Sequence, residues 1–150
     1  MKTLLIAHRG NLSGPNKNYE NKPDYIVEAI DKGYDAEIDL RFDEKSEQFY
    51  LGHDSNQYKI SYEWLLKYSD NIWVHCKDFK ALEMLNTIKS PLNYFWHEDD
   101  KFTLTSKGFI WTYPKNVTGE NSVIVSLGAD RPRGDYFAIC SDYVHNLNLK

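Results

Sequence analysis

The sequence predicts an α/β fold, and more specifically a small or incomplete TIM-type (β/α) barrel, with residues 1–150 forming a single domain. Two observations predict this fold. Short apolar runs alternate with helical patterns over residues 1–90, as they do in βαβ units. Polar residues follow several of these runs directly, which is where α/β folds place their chemistry. The barrel is predicted to be small or incomplete because 150 residues is below the ~200 that such barrels typically need.

The first predicted unit is a strand, a helix and a second strand. Residues 3–7 form a short apolar run that we interpret as a buried strand. Residues 23–32 carry apolar side chains at helical spacing, with Pro23 in the first turn and Gly33 placed to end the helix. An apolar strand pattern around Ile38 follows at once. This order predicts a right-handed crossover and parallel pairing of the two strands.

Helical patterns continue to separate the strands only as far as residue 90. We predict two further helices, at residues 61–68 and 78–89, with Ser61 and Asp78 as their N-terminal caps. The remaining predicted strands cover residues 48–52, 72–77, 93–97, 109–113, 123–127 and 136–140. Since no convincing helix separates the last of these strands, we expect a barrel that is compressed or open on one side. A partner, such as a second copy of the chain, would be able to complete that side.

A pair of carboxylates lies inside the second strand. Glu37 and Asp39 are two residues apart, and residues at this spacing in a strand point to the same face. Two acids on one buried face repel each other unless a positive group lies between them, and hard divalent cations prefer oxygen ligands. The alternative is a strand at a sheet edge with one solvated face, because carboxylates are rarely buried unpaired. The pair therefore indicates either a metal site or a wet edge.

Composition and charge argue against several functional classes. The chain has 18 basic and 22 acidic side chains and a net charge of −4, which argues against a general nucleic-acid binder. No apolar run approaches the ~20 residues of a membrane span, and the run at residues 4–7 is too short for a secretion signal. Cys76 and Cys140 do not form a disulfide framework. We therefore predict a cytoplasmic protein with reduced thiols and with no nucleic-acid partner or membrane span.

Several short motifs follow one another in the first half of the chain. They are His8-Arg9-Gly10, Glu20-Asn21, a helix that ends at Gly33, Glu37-Ile38-Asp39 and His53-Asp54. In this order they resemble the glycerophosphodiester phosphodiesterase family of the phospholipase-C-like phosphodiesterase superfamily. The resemblance covers about residues 1–80 and thins beyond them, although residues 109–112 and 138–142 resemble the family's last two strands.

The resemblance implies a metal-dependent phosphodiesterase. It implies that His8 and His53 are the acid–base pair and that Arg9 contacts phosphate. It also implies that Glu37 and Asp39 are ligands of a divalent metal ion, Mg²⁺ or Ca²⁺ in the first place. Such groups suit the reaction because a metal and cationic side chains stabilise the charge on phosphoryl oxygens, while histidines exchange protons near neutral pH.

The next strand departs from the family pattern. Where the family has a third acidic ligand in a Glu-x-Lys pattern, this chain has His75-Cys76-Lys77. The resemblance implies a phosphate contact for Lys77, which is kept. His75 shares a strand face with Lys77, and we interpret it either as the third metal ligand or as a buried structural histidine. Because imidazole suits Zn²⁺, Mn²⁺ or Fe²⁺ better than Ca²⁺, Mn²⁺ and Zn²⁺ are alternative metals.

Two functions from different classes fit these residues. The first is hydrolysis of a glycerophosphodiester, or a similar small alcohol phosphodiester, by His/His acid–base catalysis. The second is a catalytically degenerate barrel that binds a phosphoryl ligand or a protein without turnover, which the missing acid at position 75 motivates. Arg9 also has a structural interpretation, as an ion-pair partner of Glu20 or Glu37. Other side chains near strand ends either line the pocket or pack in the core: Trp96, His97, Trp111 and Asp142.

Overall fold

Residues 2–150 are described by a computed structural model, in which they form ten strands and four helices. The strands are β1 (Leu4–His8), β2 (Asp35–Asp43), β3 (Gln48–Leu51), β4 (Tyr58–Ile60), β5 (Ile72–Cys76), β6 (Asn93–Phe95), β7 (Phe102–Leu104), β8 (Ile110–Thr112), β9 (Ser122–Ser126) and β10 (Ala138–Ser141). The helices are α1 (Pro23–Asp31), α2 (Tyr62–Lys67), α3 (Phe79–Thr87) and α4 (Val144–Asn148). Met1 lies outside the described residues. It belongs to the N-terminal segment for which the sequence predicts no secretion signal.

All ten strands of residues 2–150 belong to one mixed sheet that curves into a half-barrel. The main path runs β4-β3-β2-β1-β10-β9-β8-β7, and β5 and β6 continue the sheet from the other side of β2. Parallel pairing joins β6, β5, β2, β1, β10, β9 and β8, whereas β3, β4 and β7 are antiparallel additions. The sequence predicted that the two strands of the first strand–helix–strand unit pair in parallel. This is confirmed, because β1 and β2 pair in parallel.

The predicted TIM-type (β/α) barrel is wrong. The helices have only nine, six, nine and five residues, and none in the described chain separates β6 from β7, β8, β9 or β10. The crossovers from β8 to β9 and from β9 to β10 use residues 113–121 and 127–137, which are polar and contain Gly and Pro. Such short segments return the chain to the sheet without a helical turn, so strands and helices stop alternating after β6.

The two faces of the sheet differ in what covers them. Helices α1, α2, α3 and α4 contribute to the apolar clusters on the outer face. The concave face has its own cluster, made by strand residues alone: Ile6, Trp73, Phe95, Trp111, Val123, Ala138 and Cys140. Within residues 2–150, no helix combines the length and the apolar character needed to cross a bilayer.

Candidate metal centre

The register of three parallel strands gathers polar side chains on the concave face. His8 pairs with Glu37 across β1 and β2, and Glu37 pairs with Trp73 of β5, which belongs to the concave apolar cluster. Asp39 pairs with His75 one step further along the same strands. Because residues paired across neighbouring strands point to the same face, the two carboxylates and both histidines lie together near the carboxyl ends of the strands.

Glu37, Asp39 and His75 each direct one ligand atom to a common point, and these atoms lie within 4.8 Å of one another. The Nδ1 atom of His75 is 3.8 Å from Glu37 Oε1 and 3.8 Å from Asp39 Oδ1. Both carboxylate oxygens are fully buried, and neither has a hydrogen-bond partner within the described chain. A buried oxygen left in this state is destabilising, so the arrangement calls for a group that satisfies both oxygens at once.

The protonation state of His75 indicates what that group is. Its Nε2 atom lies 2.9 Å from the backbone oxygen of His97 and must donate the hydrogen bond, because a carbonyl oxygen only accepts. Burial lowers the pKa of His75 to about 4, although the charge of Asp39 acts in the opposite direction. His75 is therefore neutral at pH 7, with a lone pair on Nδ1. The three atoms thus face one another with no hydrogen from His75 between them, and a cation satisfies all three.

The two carboxyl groups of the cluster differ in the direction in which their pKa is shifted. Burial, together with the charge of Asp39, raises the pKa of Glu37 to about 8. Burial also acts to raise the pKa of Asp39, but the charge of Arg9 and a hydrogen bond from Asn21 outweigh it, so that this pKa is lowered. In the absence of a cation Glu37 therefore holds a proton at neutral pH, and a bound cation would replace that proton.

Arg9 and Asn21 fix the position of Asp39. The Nε atom of Arg9 lies 3.0 Å from Asp39 Oδ2, and its Nη1 atom donates to Glu20 Oε1 at 3.1 Å. The Nδ2 atom of Asn21 donates to Asp39 Oδ2 at 2.8 Å, while Asn21 Oδ1 accepts from the Asp39 backbone nitrogen at 2.9 Å. Arg9 thus pairs with Glu20, as its structural interpretation predicts, and its contact with phosphate stays a prediction.

His8 is held by Asp142, for which the sequence predicts only a place in the pocket lining or in the core. The distance between His8 Nδ1 and Asp142 Oδ1 is 2.8 Å, and Asn11 donates to the same oxygen. Burial acts to lower the pKa of His8, but the hydrogen bond with Asp142 and the charge of Glu37 outweigh it, so the pKa is raised. Asp142 directly follows the last strand, just as His8 ends the first. The sequence signal for a role of Asp142 was therefore its position at a strand end.

His53 lies at the same end of the sheet but outside this cluster. Its Nδ1 atom contacts Asp54 Oδ1 at 2.7 Å, and its backbone oxygen accepts a hydrogen bond from Arg41 at 2.6 Å. Within residues 2–150, the His53 side chain forms no hydrogen bond or ion pair with His8 or with the three metal-ligand candidates. The His53 ring lowers the pKa of Asp54, and the charge of Arg9 adds to this effect. The structure thus does not bring His53 into contact with the other predicted site residues.

Lys77 lies one residue beyond the end of β5. Its backbone nitrogen donates to the Leu40 carbonyl at 2.8 Å, which extends the β2–β5 pairing by one residue. Its charge contributes, after burial, to the low pKa of His75. Within the described residues its ammonium group has no salt bridge.

Comparisons with known proteins give no match: no protein-family model, no curated protein and no solved structure matches this chain.

Proposed function

We propose that this chain is a metal-dependent phosphodiesterase, a phosphoric diester hydrolase that cleaves a glycerophosphodiester or a similar small alcohol phosphodiester. One observation carries the proposal. Three ligand atoms, two from the buried Glu37 and Asp39 and one from the half-buried His75, converge beside the hydrogen-bonded pair of His8 and Asp142. A protein that only binds a phosphoryl ligand has no need of a histidine oriented by a carboxylate, whereas general acid–base catalysis does.

The three candidate ligands fit a divalent metal ion. Glu37 and Asp39 offer hard oxygen atoms, and the unpartnered state of both oxygens is the observation that supports binding. His75 adds a nitrogen atom, which favours Mn²⁺ or Zn²⁺ beside the Mg²⁺ or Ca²⁺ that two carboxylates suggest. When bound, such an ion supplies positive charge that stabilises the phosphoryl oxygens as negative charge develops on them.

The side chains of the chain itself supply proton transfer. His8 keeps a proton on Nδ1 through its hydrogen bond to Asp142, which leaves Nε2 to exchange a proton with the reacting oxygen. Asp142 stabilises the imidazolium that results. His53, whose ring is held only by Asp54, serves as the second acid–base group, and the attacking hydroxyl belongs to water or to the substrate itself.

Two cations are candidates for binding the phosphoryl group. Arg9 is already engaged by Asp39 and Glu20. Lys77 has no salt bridge within the described residues and lies close enough to His75 to affect its pKa. Lys77 is therefore the better placed phosphate contact, and Arg9 acts mainly by holding Asp39.

The experiment is a hydrolysis assay on protein stripped with a chelator and then given Mg²⁺, Ca²⁺, Mn²⁺ or Zn²⁺. The substrates are an aryl phosphodiester and a panel of glycerophosphodiesters. We expect metal-dependent turnover that falls by ~10²-fold or more in His8→Ala, the usual size of a lost acid–base group. His145→Ala, which removes an exposed histidine of α4, is the matched control and should keep full activity.

A different result selects the alternative function. If folded protein shows no turnover with any metal, and if wild type and His8→Ala bind a phosphodiester equally well, the chain is a binding module without catalysis. In that case the convergence of Glu37, Asp39 and His75 holds a structural metal ion.

A further inference from the structure

A cavity lies at the end of the half-barrel opposite the candidate metal centre, where the parallel strands begin. Its volume is about 340 Å³, and its walls include Asp35 at the start of β2, Trp73 in β5 and Asn93 at the start of β6. The amino ends of strands in such sheets usually contribute to stability, and their chemistry lies at the other end. A cavity with buried polar groups at this end is therefore unexpected, and none of its lining residues belongs to the candidate metal centre.

Two side chains that are more than nine-tenths buried give this cavity its polarity. Asp35 is 8% exposed, and its carboxylate accepts hydrogen bonds from the Trp73 indole nitrogen at 2.9 Å and from Asn71 at 3.1 Å. Asn93 is 5% exposed, and its Oδ1 atom has no hydrogen-bond partner within residues 2–150. Asn93 pairs with Trp73 across β5 and β6, so its amide group lies on the concave side of the sheet. The cavity thus offers a buried carboxylate and an unsatisfied amide group.

Three aromatic side chains line the cavity, and the rim is charged. Trp73 packs against Phe109 with 5.1 Å between the ring centres, and Phe109 packs against Phe137 at 4.7 Å. Asp70 and Lys107 are exposed residues of the rim. Two carboxylates therefore face one ammonium group, which leaves the cavity with an excess of negative charge.

We infer that this cavity binds a small organic cation, an alkylammonium whose N–H groups donate to Asp35 and Asn93 and whose carbon chain lies against the aromatic rings. An anion is disfavoured by the Asp35 carboxylate. A bare metal ion is disfavoured because half of the lining residues are apolar, so that too few oxygen ligands surround it. Aromatic faces attract organic cations, and the volume lies near the lower limit of known small-molecule sites, which is ~300 Å³. The inference does not depend on the proposed hydrolysis.

The test follows the indole N–H resonance of Trp73 by NMR, because this group contacts Asp35 directly. The probe is n-butylammonium, with 1-butanol as the neutral analogue and butyrate as the anionic one. We expect a saturable shift with butylammonium, an affinity at least ~10-fold lower for butanol and no saturation with butyrate. Equal affinity for butanol and butylammonium, or no saturable shift with the cation, would overturn the inference.

Rim variants give a second test that does not depend on the stability of the core. We expect Lys107→Gln to tighten butylammonium binding and Asp70→Asn to weaken it, each by a factor of ~2–10. Lys45→Gln removes an exposed charge from the turn between β2 and β3 and should leave the affinity unchanged. In the core, Asp35→Asn should weaken binding by at least ~10-fold. The inference would be contradicted if Lys107→Gln and Asp70→Asn shifted the affinity in the same direction. It would also be contradicted if Asp35→Asn protein folded and bound butylammonium as wild type does.

Discussion

His8 and Asp142 are 134 residues apart in the chain, yet the Nδ1 atom of one lies 2.8 Å from the Oδ1 atom of the other. The parallel pairing of β1 with β10 explains this contact, because Ala7 pairs with Ser141 and the next residue on each strand comes alongside. The hydrogen bond turns the other ring nitrogen of His8 towards Glu37, whose Oε2 atom lies 3.7 Å away. The register of the β1–β10 pairing thus sets the orientation of His8, the proposed proton-transfer group.

Asp142→Asn should lower the pKa of His8, because burial remains while the hydrogen bond to a carboxylate is lost. We expect turnover to fall by ~10²-fold, since an unoriented imidazole exchanges protons poorly. The raised pKa of His8 stabilises the fold fully below pH 6.5, and this stability is lost as pH rises through the folded-state pKa. The variant should therefore lose more stability at pH 5.5 than at pH 9.

Three measurements check this prediction: NMR titration of His8 in metal-free protein, the pH–rate profile, and denaturant unfolding at both pH values. Asp130→Asn is the matched control, because Asp130 is exposed and its carboxylate forms a salt bridge with Lys150, far from His8 in the chain. An unchanged pKa of His8 in Asp142→Asn would show that the hydrogen bond does not set its protonation.

Glu37→Gln should change how the stability of the metal-free protein depends on pH. Burial and the charge of Asp39 raise the pKa of Glu37 to about 8, from an ordinary value of 4.5. The folded state therefore holds a proton that the unfolded state has lost, so stability is full below pH 4.5 and decreases as pH rises through about 8. Glutamine cannot ionise, so the variant should be less sensitive to pH in this range.

Denaturant unfolding in the presence of chelator, between pH 5 and pH 8.5, measures this effect. The same variant should bind metal more weakly in a calorimetric titration, because one of the two carboxylate charges is replaced by a neutral amide oxygen. A variant that keeps the wild-type pH dependence would show that Glu37 is ionised in the folded metal-free protein at all pH values tested.

Local patterns predicted much of the first half of the fold. The caps at Ser61 and Asp78 are confirmed, since these side chains accept hydrogen bonds from the backbone nitrogens of Trp64 and Ala81. These are short-range interactions that a sequence window contains. Strands β4 and β7 and helix α4 were missed, because three to five residues carry too little periodicity to be distinguished from a loop.

In the candidate site, too, features set by neighbouring residues were predictable from the sequence, whereas contacts between distant segments were not. Glu37 and Asp39 were recognisable because strand alternation places them on one face, and their common direction is confirmed by the geometry. The hydrogen bond from Asn21 to Asp39 and the pairing of Asp142 with His8 depend on how distant segments are brought together. Spacing along the chain contains no information on such contacts without the sheet order.

His75→Glu should move the metal preference towards Mg²⁺ and Ca²⁺, because a third carboxylate replaces the only nitrogen ligand of the proposed site. We expect wild type to be activated better by Mn²⁺ or Zn²⁺, and the order to reverse in the variant. The measurement is turnover, together with calorimetric affinity, for each metal. His97→Gln is the control, because glutamine keeps the backbone oxygen that accepts from His75 and removes only a ring whose centre lies 6.3 Å from that of His75. The same metal order in wild type and His75→Glu would show that residue 75 is not a ligand.

Gly52→Ala should disturb the segment that carries His53. A Cβ atom at position 52 would lie 1.9 Å from the backbone oxygen of Ser55, which cannot move without the rest of the turn. We expect a loss of ~1–3 kcal/mol in the free energy of unfolding, and a fall in turnover larger than the change in metal affinity, because the metal-ligand candidates lie in β2 and β5. Gly128→Ala is the matched control, since a Cβ there meets no atom within 4 Å. Unfolding curves, turnover and metal titration are measured on both variants. If Gly52→Ala kept its stability but lost metal binding, the turn would act on Asp39, whose backbone oxygen accepts from the Gly52 nitrogen at 3.0 Å, and His53 would have no separate role.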